Sequence, residues 1–146
     1  MKKIIVFDID GTLADMEHRR HWFDGARKNW DAFFAAQHLD PIHEEIVWML
    51  KQFYETGNTI LICTGRNEGH REVTEEWLKK FDINYNKMYM RPLKDFRNDG
   101  IVKVELLDQI REEFGEPFIW VDDRDHVVKA IRQQGVRVLQ VCEGDY

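Results

Sequence analysis

Apolar residues fall along this chain in two rhythms. Short continuous runs occupy residues 3–7, 59–63, 87–90, 117–121 and 136–141. Runs of that length read as strands buried on both faces. Between them the apolar positions recur at helical spacing. Ile42, Ile46, Met49, Leu50 and Phe53 form one stripe, preceded by Asp40-Pro41 as an N-cap with proline following and stopped by Gly57-Asn58. Residues 68–81 carry Val73, Trp77 and Leu78 on one face. Asp99-Gly100 opens a helix with Val102, Leu106 and Ile110 inward and Gly115 after it. A shorter helix over 125–134 turns Val127, Val128 and Ile131 inward and closes at Gly135. Strand–helix alternation of this kind predicts an α/β fold: a central parallel sheet, helices on both faces, right-handed crossovers.

One stretch breaks the alternation. Residues 15–39 hold His18, Arg19, Arg20, His21, Trp22, Phe23, Trp30, Phe33 and Phe34. We expect a small helical insert here, one helix plus loop over the mouth of the site. It is too short for an independent cap domain. Phe33 and Phe34 read as packing onto the sheet; Trp22 and Phe23, closer to the first acidic motif, read as packing or as a base-stacking surface.

At 146 residues the expectation is one domain over 1–146, with room for a real core. Apolar content of 43% and charged content of 33% describe a globular chain. No run approaches the roughly 20 apolar residues of a membrane span, and because the chain enters its first strand at once we expect no leader. Cys63 and Cys142 sit in apolar runs and read as small buried hydrophobes of a reducing, cytoplasmic setting. The net charge of −6 argues against salt-driven wrapping of nucleic acid. It leaves room for gripping one terminal phosphate. The six histidines show no metal-binding spacing and read as surface or loop residues.

Four strand ends carry the chemistry. The first run ends in Asp8-Ile9-Asp10-Gly11-Thr12. Residues i and i+2 of an extended segment share a side, so Asp8 and Asp10 can converge on one reacting atom at the end of the sheet where ligands bind. One carboxylate can act as nucleophile while the other trades protons. The second run ends in Thr64-Gly65-Arg66: a hydroxyl and turn N–H groups for a phosphoryl oxygen, then a guanidinium for a second one. The third element is Arg97-Asn98-Asp99-Gly100-Ile101-Val102-Lys103. Phosphoryl transfer needs a cation beside the nucleophile. Lys103, in the first turn of a helix capped by Asp99, opposes the helix dipole; that placement assigns it over the loop residue Lys94. The fourth run ends in Asp122-Asp123-Arg124-Asp125. Adjacent carboxylates repel without a cation, which points to Mg²⁺ held by Asp8, the Asp10 carbonyl and Asp122, with Asp123 acting through water. Asp125 reads as the cap of the following helix.

These four motifs, in this order, resemble the haloacid-dehalogenase (HAD) superfamily of aspartyl-phosphate phosphatases. Arg19, Arg66, Asp99, the Val102-Lys103 pair, Asp122-Asp123-Arg124 and the final Gly144-Asp145-Tyr146 narrow the likeness to the 3′-phosphatase domains of phage polynucleotide kinase/phosphatases. The resemblance implies a three-layer Rossmann-like HAD fold and a Mg²⁺-dependent phosphatase acting on phosphorylated nucleic-acid ends or nucleotides. The host cytoplasm is its setting if the chain is phage-encoded. It further implies that Asp8 attacks phosphorus, that Asp10 protonates the leaving oxygen and then activates water, and that Thr64 and Lys103 neutralise the phosphoryl group. Arg19, Gly65, Arg66, Arg97 and Asp99 would position substrate. No Gly-x-x-x-x-Gly-Lys-Ser/Thr loop occurs in the chain, so there is no kinase site here. Two rivals stay open: a small-molecule nucleotidase of the same chemistry, and a non-catalytic module that binds nucleic-acid ends. A receiver domain would need an acceptor aspartate within 60–63, and none stands there.

Overall fold

The computed structural model describes residues 2–23 and 28–146. Five strands, β1 (Ile4–Phe7), β2 (Thr59–Asn67), β3 (Lys87–Arg91), β4 (Ile119–Asp122) and β5 (Val138–Gln140), form one sheet in the order β3-β2-β1-β4-β5. Every pairing is parallel. The helices are α1 (Glu17–Arg20), α2 (Trp30–Ala35), α3 (Glu44–Glu55), α4 (Arg71–Lys80), α5 (Asp99–Glu113) and α6 (Asp125–Gln133). Alternation along the strands sorts side chains to two faces. Ile5, Phe7, Ile60, Ile62, Met88 and Met90 meet Val47 and Leu50 of α3 and Trp77 and Leu78 of α4. Val6, Leu61, Cys63, Tyr89 and Trp120 face α5 and α6 through Val102, Leu106, Leu107, Ile110, Val127 and Ile131. Each such side chain contributes about 1.5–3 kcal/mol when fully buried. The result is the expected three-layer α/β fold, with no large cap among the described residues.

Strand order reverses at β1, so the crevice between β1 and β4 opens at their carboxyl ends. Asp8 follows β1 there and Asp122 ends β4. Gly11 takes a φ of 83°, a left-handed conformation that glycine adopts without strain. A Cβ on it would sit 2.1 Å from the Asp123 carboxylate.

Several local expectations are corrected. β2 does not end at Cys63 but runs to Asn67: Thr64 pairs with Met90 and Asn67 with Arg91, with a bulge between them. Thr64, Gly65 and Arg66 therefore lie in extended backbone, not in a turn. Asp40 caps no helix. Residues 41–43 pair with the loop after β1, Asp15 N donating to Pro41 O (2.8 Å) and His43 N to Leu13 O (2.8 Å), so α3 starts only at Glu44. The 68–81 stretch opens with a 3-10 turn, Glu68–His70, before α4. Asn98, not Asp99, caps α5, accepting from Gly100 N at 2.8 Å. Asp125 accepts from Gln140 Nε2 (2.6 Å) rather than capping α6. Cys142 lies past β5 and is exposed, whereas Cys63 is buried. The insert holds α1, α2 and a 3-10 turn, Gln37–Leu39; its residues 24–27 lie outside the described residues. Met16, Phe23 and Phe33 form its small core, with Phe34 and Tyr146 packed against it.

Candidate active site

Asp8 lies at the bottom of a cavity of about 410 Å³ that Asp10, Lys103, Asp122 and Asp123 also line. Its carboxylate is held on both sides. Lys103 Nζ, from near the N-terminal end of α5, donates to Asp8 Oδ1 (2.8 Å) and to Asp122 Oδ2 (2.8 Å). The Thr12 hydroxyl lies 3.1 Å from Asp8 Oδ2 and 3.3 Å from Asp123 Oδ1. Asp122 is engaged further: its Oδ1 accepts from Asp123 N (2.8 Å) and its Oδ2 from the Trp120 indole N–H (3.2 Å). All of these groups are buried.

The electrostatics divide the two aspartates of the first motif. Burial, and then the nearby Asp122 carboxylate, raise the Asp8 carboxyl well above the ordinary range, with Lys103 pulling the other way. Burial and Asp122 likewise push Asp123 up to about 6. Asp10 goes down. Burial would raise it, but Arg66 and then Arg19 outweigh burial and hold it ionised. Arg66 Nε and Nη2 donate to its two oxygens (3.0 and 2.7 Å), and Arg19 Nη2 donates to Oδ1 as well. Burial alone would lower the Lys103 ammonium; Asp122 and Asp8 more than reverse this and raise it.

Asp8, Asp122 and Asp123 each offer an oxygen, and these lie within 4.8 Å of one another. Three buried carboxylates face one ammonium, an excess of negative charge that the raised Asp8 and Asp123 carboxyls register. A hard divalent cation with oxygen ligands fits that donor set.

Arg19 and Arg66 are not among the residues that line the cavity. Both are buried behind Asp10. Arg19 also donates to Asp40 (2.8 and 2.6 Å) and to the Phe33 carbonyl (3.2 Å), and Arg66 to Thr74 (3.1 Å). They orient Asp10 rather than line the cavity. Thr64 is also buried, its hydroxyl accepting from Arg66 N at 3.1 Å. Gly65 lines the cavity, and a Cβ there would stand 2.6 Å from Asp99 Oδ1. Asp99 turns inward to Arg91 and to Arg124 Nη1 (2.8 Å). Arg97 lines the cavity too, its guanidinium engaged with Asp95 (2.8 Å) and Glu105 (2.6 Å).

Sequence reasoning missed several participants. Asp40 looked like a helix cap and is instead the buried partner of Arg19 and His18. Arg91 braces Gly65 O (2.9 Å) and Asp99; only its place at a strand end could have flagged it. Tyr146 donates its hydroxyl to Asp123, while its main-chain oxygen accepts from Arg124 Nε (2.8 Å). His70 and His126 line the cavity. Phe23, weighed as a stacking surface, is buried edge-on against Phe33 at 4.7 Å between centroids. Trp22 is 39% exposed.

A viral protein from Autographa californica nuclear polyhedrosis virus, described as a bifunctional polynucleotide kinase/RNA ligase, is 27% identical over 148 residues, covering 99% of this chain and 20% of its own length. A chain in the structure of a Pnkp1/Rnl/Hen1 complex is 30% identical with a TM-score of 0.82, covering 100% of this chain and 47% of that one. The chain thus spans a fifth to a half of these relatives. A class C acid phosphatase from Bacillus anthracis shares the fold at 16% identity and a TM-score of 0.70, over 100% of this chain and 69% of its own. The family model for the polynucleotide kinase PNKP phosphatase domain matches residues 2–146. Its span takes in every strand end that meets at the cavity, and the chain belongs to that family of HAD-type phosphatase domains.

Proposed function

We propose that this chain is a Mg²⁺-dependent phosphomonoesterase that removes 3′-phosphate from polynucleotide ends through an aspartyl-phosphate on Asp8. The observation that carries this reading is the Asp8 carboxylate, clamped by Lys103 and Thr12 at the end of β1 with Asp10 beside it in the same cavity. A nucleophile so held is spared the entropy of finding its attack geometry. An Asp8 oxygen bonds to phosphorus as the bond from phosphorus to the leaving oxygen breaks, and Asp10 delivers the proton that oxygen needs. Water then attacks phosphorus, Asp10 takes its proton, and the bond to Asp8 breaks to release inorganic phosphate. Arg19 and Arg66 favour the ionised Asp10 of the second half. An arriving phosphate dianion offsets those two positive charges and favours the protonated form of the first half. Lys103 and the Thr64 hydroxyl balance phosphoryl charge. Mg²⁺ held by Asp8, Asp122 and Asp123, with the Asp10 carbonyl, supplies further charge neutralisation when bound. Gly65 and Asp99 shape the floor on which substrate rests, and Arg97 the edge.

The family and the kinase/ligase relative support a nucleic-acid end as substrate; our reading is of residues 1–146 as one domain acting in end repair in the cytoplasm. The net charge of −6 favours a second reading, a nucleotidase. Phosphate release from a 3′-phosphorylated oligonucleotide, a 3′-mononucleotide and a 5′-mononucleotide, with and without Mg²⁺, separates the two. We expect metal-dependent release with the oligonucleotide preferred. Equal or faster turnover of mononucleotides makes the chain a nucleotidase. Asp8→Asn serves as the blank: it is expected to abolish turnover and keep the fold, and residual activity within tenfold of wild type removes Asp8 as nucleophile.

A further inference from the structure

Phe96 is 92% exposed, more than any other large apolar side chain among the described residues. It nevertheless lines the same cavity as Asp8 and Asp10. An aromatic ring left in water on a slack loop needs no explanation, but this loop is pinned. Arg91 Nη1 donates to the carbonyls of Asp95 (3.0 Å) and Arg97 (2.6 Å), the residues on either side of the ring. Asp95 Oδ1 accepts from Arg97 N (3.1 Å), and the Arg97 guanidinium joins Asp95 to Glu105 of α5. Lys94 completes the turn at a φ of 61°. The ring has no aromatic partner among the described residues. By contrast Trp30, Phe34 and His70, in the same cavity, stack on one another, at 6.1 and 4.9 Å between centroids, so their packing accounts for them.

A flat apolar face held rigidly at the edge of a phosphate-processing cavity suits a ligand with its own π-face, tethered to the reacting phosphate. A nucleobase is such a ligand, and base–aromatic stacking is tolerant of sequence. Pre-ordering the loop removes the entropy that binding would otherwise spend on it. Lys94, two residues before the ring and lining the same cavity, forms no ion pair among the described residues and stands ready for a phosphodiester. Asp8 is buried while Phe96 is nearly bare, so the base it covers belongs to a nucleotide nearer to solvent than the terminal phosphate. We propose that Phe96, with Lys94, is a stacking platform for a base upstream of the terminal phosphate, and that it gives a polynucleotide its advantage over a mononucleotide. This inference rests on the polynucleotide-end reading above.

The test is the ratio of KM for a 3′-mononucleotide to KM for a 3′-phosphorylated oligonucleotide, measured for wild type, Phe96→Ala, Phe96→Leu, Phe96→Trp and Trp48→Ala. Trp48, 64% exposed on α3, controls for loss of any surface aromatic. Phe96→Ala and Phe96→Leu are expected to lower the ratio about fivefold or more, from the loss of one base stack. Phe96→Trp is expected to keep or raise the ratio, and Trp48→Ala to leave it unchanged. A ratio that survives Phe96→Ala overturns the platform while leaving the polynucleotide reading intact, and points to a protein contact on this face instead. A leucine that works as well as phenylalanine overturns it too, because stacking is then not what binds. If wild type itself shows no oligonucleotide preference, the polynucleotide reading fails and the platform with it.

Discussion

Two residues apart, Asp8 and Asp10 have opposite surroundings. Asp8 shares its space with Asp122 and Asp123, Asp10 with two guanidiniums. Pushing the proton affinities of neighbouring carboxyls apart is how one site divides nucleophilic and proton-transfer work. Lys103 holds the acidic side together, within 2.8 Å of both Asp8 and Asp122. Lys94 sits in the exposed loop that carries Phe96. Lys103→Ala is therefore expected to lose far more activity than Lys94→Ala. It should also cost about 3–5 kcal/mol of stability, as breaking a buried pair does by leaving charge uncompensated. Side-by-side initial rates and thermal melts check both, and the reverse order of activity would move the phosphate-neutralising cation to Lys94.

Among the elements, α5 does the joining. Asn98 caps it, which frees Asp99 in its first turn to bind Arg91 from β3 and Arg124 at the head of α6. Burial would raise Asp99, but Lys103, then Arg124 and Arg91, override it and lower it. A carboxyl lowered in the folded state contributes stability that is present above its unfolded value, near 3.9, and lost as pH falls through that value toward the folded one. The difference in melting temperature between wild type and Asp99→Asn is expected to be full above about pH 5 and to shrink as pH drops below about 4. A difference that stays constant from pH 6 to pH 3 would show that Asp99 acts by shape alone.

For the whole molecule, the reversal of strand order at β1 gathers residues from positions 8 to 146 at one end of the sheet. The acidic triad that results lacks charge balance, so binding a divalent cation should stabilise the fold. At a Mg²⁺ concentration about a hundredfold above Kd the gain is about 2.7 kcal/mol, or a rise in Tm of about 5–10 °C for a chain of this size. Calorimetry with Mg²⁺ and with chelator checks this. Asp122→Asn is expected to remove most of the shift, and a wild-type Tm indifferent to Mg²⁺ would deny the triad its ion.

The sequence by itself determined the layered α/β fold and the strand ends that carry Asp8, Asp10 and Asp122. Alternating apolar runs and helical stripes leave few ways to bury both faces of a sheet, and a polar residue just past such a run lies at the carboxyl end of the sheet. Only the tertiary structure decided what surrounds those residues. Asp40 looked like a cap because local spacing cannot show that Arg19, 21 positions away, takes its carboxylate. Thr64 looked like a turn residue because the pairing that extends β2 comes from β3. The bond from Arg66 to Asp10, 56 positions away, was equally out of reach of local spacing. Periodicity reports which way a side chain faces its own element; a charge's partner is set by contacts between elements distant in the chain.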